Sequence, residues 1–273
     1  VTGCLDALMA HGLDTYGGQE TPVLVSILDL DTLMCPKDPL VLDEPWRAIR
    51  RHRRNPAGAD LATDMPVLLL LCKRGGASEA FALRYARYYL RNLKSDRGLL
   101  CWGWHDYYDV FADKCHFDQH EIHAGVDPVA WEVLFDADRE ATLGELEAIW
   151  RWHVIDKQTG EINRHGDGRR GCDFSMSAGA YIEAFAFGYH ATKDATWLAR
   201  ARLIANYYWG QRNPETDLFP ERPNAGKDRF DGSHFVTAIT GPYCGALLRA
   251  YELSDDALFR EHALAYLRAY GKY

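Results

Sequence analysis

The sequence lacks the features that would assign it at once to several large classes. Its seven cysteines (Cys4, Cys35, Cys72, Cys101, Cys115, Cys172 and Cys244) are odd in number, scattered, and contain no C-x-x-C pair. Neither a zinc ribbon nor a disulfide framework is indicated, and a reducing, cytoplasmic compartment is the simpler expectation. Long apolar runs are missing too. The longest, Val67 to Cys72, is far below the roughly 20 residues a membrane-spanning helix needs, and no charged-then-apolar segment opens the chain, so no membrane-embedded part is expected. The chain begins at Val1, not Met. A removed leader, with a secreted or periplasmic location, is therefore the alternative expectation.

Positive charge is also in short supply. With 31 Lys and Arg against 39 Asp and Glu, the net charge is −8 over 273 residues, which gives no general positive field for nucleic acid. Basic residues cluster only at Arg47, Arg50, Arg51, Arg53 and Arg54, read here as a solvated turn before a helix. Strand-like alternation is sparse, which argues against an α/β fold. What remains is ordinary globular composition, 47% hydrophobic and 26% charged, enough for one sizeable core.

An internal repeat sets the architecture. The segments SAGAYIEAFAFGYHATKDATWLARARLIANYY and AITGPYCGALLRAYELSDDALFREHALAYLRAY match without a gap. Gly179 pairs with Gly241, Tyr181 with Tyr243, Ala184 with Ala246, Asp194 with Asp256, Trp197 with Phe259 and Tyr208 with Tyr270. Each copy holds two apolar stretches of helical period, with Asp194 or Asp256 placed to cap the second. Each unit is thus a helical hairpin. A fainter copy runs from Met65 to Leu93, and Leu143, Leu146, Ile149 or Trp150, and His153 form the stripe of one more helix. About nine helices are expected, with Val23 to Leu33 open between helix and strand. Turns within hairpins are short, whereas the connections from Asp96 to Asp127, Asp156 to Phe174 and Asn213 to Phe235 are long and rich in functional residue types. That pattern suits a scaffold with one working face.

The hairpin period, the aromatic inner helices and the segment KQTGEINRHGDGRRGCDFSMSAG give Met65 to Tyr273 a resemblance to the (α/α) six-hairpin toroid superfamily, which holds glycoside hydrolases, polysaccharide lyases and sugar epimerases. The resemblance implies an all-α fold, a single (α/α)-toroid domain over 1–273, and an oligo- or polysaccharide substrate. A six-hairpin ring takes twelve helices, so nine imply an incomplete barrel or part of a longer toroid.

Two connections carry the chemistry. Cys101 to Gly125 holds His105, Asp106, Tyr107, Tyr108, Asp109, His116, His120, Glu121 and His123. If its end were helical, His116, His120 and His123 would share a face, with the outer pair about 10 Å apart along the axis. The cofactor such a cluster suggests is a divalent metal, Zn or Ca, although the H-E-x-x-H spacing is missing. Alternatively, the histidines cross-link the loop or act in acid/base chemistry. The second connection holds Asn163, Arg164, His165, Asp167, Arg169, Arg170 and Asp173, with Gly166, Gly168 and Gly171 allowing close approach to a ligand. Trp102, Trp104, Tyr107, Tyr108, Phe230 and Phe235 are flat surfaces for a sugar or for the core.

Crowded arginines in a pocket-like loop favour a uronate substrate, because guanidinium forks match carboxylates. The expected reaction is β-elimination, in which a base removes the proton α to the carboxylate, a cation neutralises that carboxylate, and an acid protonates the leaving oxygen. The expected catalytic group is His120, His123, Tyr108, Glu121 and Asp173. His120 or His123 would serve as base or neutraliser, and Tyr108 would be an acid with a pKa lowered by nearby cations. Substrate binding is expected from Trp104, His105, Asn163, Arg164, His165, Arg169, Arg170, Asp231 and His234, with Arg169 and Arg170 as the clamp. The alternatives are a glycoside hydrolase with a carboxylate pair drawn from Asp106, Asp109, Glu121, Asp173 and Asp231, a sugar epimerase or isomerase, and a non-catalytic helical repeat that binds a partner.

Overall fold

Apolar residues recurring every three or four positions fold most of this chain into helices, with few and short strands. The computed structural model describes residues 2–37, 57–103, 105–126, 129–218 and 237–272. The basic cluster at 47–54, Trp104, Phe230, Asp231, His234 and Phe235 lie outside them. Two compact units result, Val1–His120 with Pro128–Glu145, and Glu121–Asp127 with Leu146–Tyr273.

In the first unit, helix α1 (Thr2–His11) leads into the antiparallel strands β1 (Leu13–Asp14) and β2 (Thr21–Leu24). The segment open between helix and strand is therefore strand only up to Leu24. Beyond it, the Asp29 carboxylate accepts the amides of Asp31 and Thr32 at 3.1 and 2.8 Å, a local turn that competes with helix. Strand β3 (Gly58–Ala59) precedes the hairpin of α2 (Leu61–Arg74) and α3 (Ala77–Asn92). Asp60 caps α2 by accepting the Thr63 amide at 2.8 Å. Met65, Leu68 and Leu71 of α2 and Phe81, Tyr85, Ala86 and Tyr89 of α3 are buried. The Tyr85 hydroxyl donates to the buried Asp64 at 2.6 Å and ties the two helices together.

Strands β4 (Tyr107–Asp109) and β5 (Lys114–His116) extend β3 into an antiparallel sheet ordered β3-β4-β5. The short α4 (Trp131–Ala137) brings Trp131 against Trp102, with ring centroids 6.4 Å apart. Helix α5 (Arg139–His153) begins here, and its residues from Leu146 onward belong to the second unit.

The second unit continues with α6 (Ser175–Thr192), α7 (Ala195–Gly210), α8 (Thr237–Ser254) and α9 (Ala257–Tyr270), the two hairpins of the repeat. Asp194 accepts the Thr196 amide at 2.9 Å and Asp256 the Leu258 amide at 3.2 Å, so both caps stand where the repeat put them. Helix α6 is buried almost all round. The outer helices bury one stripe each, Trp197, Ala201, Ile204 and Tyr208 in α7 and Phe259, Ala263 and Tyr266 in α9. Each large apolar side chain taken fully from water contributes about 1.5–3 kcal/mol. Nine helices among the described residues make this an all-α fold of helical hairpins. None of these helices is long and apolar enough to cross a membrane.

Candidate active site

The connection between α5 and α6 is a folded platform. Beyond the end of α5, Val154 bridges to Ile162, the Asn163 amide donates to the His153 carbonyl at 2.8 Å, and the Arg164 amide donates to the Cys172 carbonyl at 2.8 Å. The Asn163 side chain organises the tip. Its Nδ2 donates to Asp167 Oδ1 and to the Arg169 carbonyl, both at 3.0 Å, while its Oδ1 accepts the amides of Cys172 and His165 at 3.1 and 3.3 Å. Gly171 makes room for this amide, since a Cβ there would stand 2.8 Å from both its nitrogen and its oxygen. Asn163 is thus buried as the organiser of the loop, with its polar atoms turned inward.

Against this platform lies the segment Glu121–Asp127 of the same unit. The Ala124 amide donates to the Met176 carbonyl at 3.0 Å in the first turn of α6. Gly125, at φ +72°, brings the chain so close to α8 that a Cβ would meet Pro242 at 2.9 Å. These anchors set Glu121 and His123 beside Arg164 and His165.

Glu121 is the centre of the cluster. Its Oε1 lies 2.7 Å from His165 Nε2 and 3.9 Å from Arg164 Nε, and its Oε2 lies 3.2 Å from His123 Nε2. Burial alone would raise its pKa. The hydrogen bonds of His123 and His165 and the charges of His123 and Arg164 outweigh burial and hold the carboxyl well below the usual range. An ionised Glu121 only accepts, so Nε2 of His165 carries the hydrogen that faces it. Arg164 Nε also comes within 3.0 Å of that nitrogen. Two donors then face each other, which leaves the guanidinium poorly matched to His165 and suited to an incoming anion. Phe174 supports the group, with its ring 5.7 Å from Arg164 Cζ and, edge to face, 5.7 Å from the His123 ring.

The remaining expected residues have other surroundings. Asp173 is fully buried; its Oδ2 accepts the Tyr207 hydroxyl at 2.8 Å and its carbonyl accepts the Tyr208 hydroxyl at 2.6 Å. Arg170 holds Glu161 through two hydrogen bonds of 2.7 Å, and its neighbour Arg169 is exposed. In the first unit, His120 is buried with Nε2 3.3 Å from Glu145 Oε1. Nearby, burial raises the Asp106 pKa, opposed by His120 and by the amides of Asp118 and Gln119. Those amides, at 2.7 and 3.1 Å from Asp106 Oδ1, draw the chain into a loop. With Lys114–His116 in strand β5, the shared helical face of His116, His120 and His123 does not form. His105 Nδ1 lies 3.7 Å from Asp118 Oδ2. Tyr108 is buried in β4, and its hydroxyl donates to Asp113 at 3.4 Å. Burial and then the charge of Asp14 push its pKa up, opposite to the lowered value expected of an acid catalyst.

Imidazole nitrogens with a carboxylate make a donor set that divalent transition ions accept. Among the described residues, however, no three His, Cys, Asp or Glu side chains form a group that could hold a metal ion.

Sequence reasoning missed Glu145 beside His120, Glu161 under Arg170, and His153 and Tyr181 behind Arg164. The last two read as helix and core positions, and contacts between distant segments leave no local signal.

A family model described as Periplasmic pectate lyase matches residues 77–178. The match runs from α3 into α6 and contains Glu121, His123, Arg164, His165 and Asp173. Over that span the chain is similar to the family, which supports, at a coarse level, a polysaccharide lyase and hence an enzyme acting on a carbohydrate.

Proposed function

We propose that this protein cleaves a uronate-containing polysaccharide by β-elimination at the Glu121, His123, Arg164 and His165 cluster. The observation that carries the reading is the buried, ionised Glu121 with an imidazole on each oxygen and a guanidinium alongside. The partial match to a family described as Periplasmic pectate lyase supports the same chemistry. Arg164 turns to the carboxylate of the uronate and neutralises it, which acidifies the proton on the adjacent carbon. His165, a quarter or less exposed and held by Glu121, accepts that proton. The C–H bond and the neighbouring C–O bond break, a C=C bond forms between the two carbons, and the leaving oxygen takes up a proton. His123 fixes the second oxygen of Glu121, and Arg169 reaches the polymer from the loop surface. Asp173 and Asn163 hold the platform, and the hairpin toroid is the scaffold that goes with this reading. The family's description also supports a periplasmic or secreted location over a cytoplasmic one.

The test is to incubate the protein with pectate, other uronate polymers and neutral glycans, with and without added divalent cations, and to follow ultraviolet absorbance and reducing ends together. Elimination raises both on uronates alone. Reducing ends without absorbance would establish hydrolysis, and binding without turnover a non-catalytic module.

A further inference from the structure

Two fully buried side chains lie behind Arg164 on its backbone side. Nδ1 of His153, the last residue of α5, is 2.9 Å from the Asn163 carbonyl oxygen and 2.7 Å from the Tyr181 hydroxyl of α6. That hydroxyl is 3.1 Å from the Arg164 carbonyl oxygen. Both residues are 0% exposed. The direction of the hydrogens follows from donor and acceptor counting. A carbonyl oxygen only accepts, so the Nδ1 facing Asn163 carries the hydrogen. Nδ1–H cannot also accept from Tyr181, so the Tyr181 oxygen shares that hydrogen and its own O–H goes to Arg164. One chain of donation results, from His153 to Tyr181 to the Arg164 carbonyl. The Asn163 amide, donating back to the His153 carbonyl at 2.8 Å, closes it.

We propose that Tyr181 and His153 are positioning residues that fix the peptide planes of Asn163 and Arg164, and through them the directions in which Arg164 and His165 project. The Asn163 side chain organises the loop from its tip, but its bonds all lie within the loop. Tyr181 and His153 instead tie the same peptides to two long helices, where a rigid element sets the geometry a reacting group must keep. The role in turnover rests on the proposed elimination, whereas the anchoring of the loop stands on the contacts alone.

The experiment uses Tyr181→Phe and His153→Phe, which keep an aromatic ring and delete the donor, and His153→Asn, whose amide N–H falls near the place of Nδ1–H. Amide hydrogen exchange and steady-state kinetics on pectate are measured for each. Both Phe variants are expected to speed exchange at the Arg164 and His165 amides about tenfold, with the exchange of α7 and α9 unchanged. Their kcat should fall about tenfold or more with KM within about twofold, and His153→Asn should recover both quantities. Unchanged exchange in Tyr181→Phe overturns the proposal, as does faster exchange with full kcat. Loosening of the whole unit would make the role structural and also overturn it. If the wild-type protein yields no unsaturated product, the elimination reading fails, and exchange alone decides the anchoring.

Discussion

A carboxylate taken out of water stays ionised only where donors replace its hydration. Glu121 meets this condition with His165 at 2.7 Å and His123 at 3.2 Å. Its folded-state pKa is depressed from the ordinary 4.5, so its ionisation contributes stability that is complete above about pH 4.5. That contribution is lost as pH falls toward the lowered value. In thermal melts, the gap in Tm between wild type and Glu121→Gln should be widest near pH 5 and narrow on acidification; a gap that widens would contradict the assignment. The two arginines separate by their partners. Arg164→Lys should cost about a hundredfold in kcat/KM, since a lysine has no fork for a carboxylate. Arg170→Ala should cost less than about fivefold in kcat/KM, since its guanidinium is engaged by Glu161; because Glu161 is buried, the loss should show in stability instead. The sequence favoured Arg170, with Arg169, as the clamp over Arg164, and the position of Glu161 against Arg170 is what residue types alone did not show.

At the scale of elements, the hairpins were legible because helix leaves a period in the text. Gly179, Asp194, Trp197 and Tyr208 recur as Gly241, Asp256, Phe259 and Tyr270, and the same spacing that aligns them buries the stripes of α7 and α9. Caps were equally readable. Asp194→Ala should lower stability by about 1 kcal/mol with turnover unchanged, checked by denaturant unfolding and the product assay. The site segments were less legible. Strands of three residues such as β4 and β5 carry no usable period, and Tyr107 stacks on His116 at 4.6 Å through pairing that spacing does not reveal. The bend at 118–119 depends on Asp106 accepting the amides of Asp118 and Gln119, a contact between residues twelve and thirteen positions apart. The condition under which His116, His120 and His123 would share a helical face is therefore not met, since they stand in a strand and a loop.

For the whole molecule, a net charge of −8 means that a polyanionic substrate gains nothing from the overall field and must be held by local cations. In the proposed reading Arg164 and Arg169, on one loop within the span matched by the family described as Periplasmic pectate lyase, take that role. The central claim is elimination rather than addition of water across the glycosidic bond. The measurement that tests it most directly is the molar ratio of unsaturated ends to new reducing ends released from pectate by the wild-type protein. Elimination predicts one unsaturated end for every reducing end from the first turnovers onward. Reducing ends that accumulate with no unsaturated product would contradict it and return the reaction to a carboxylate pair.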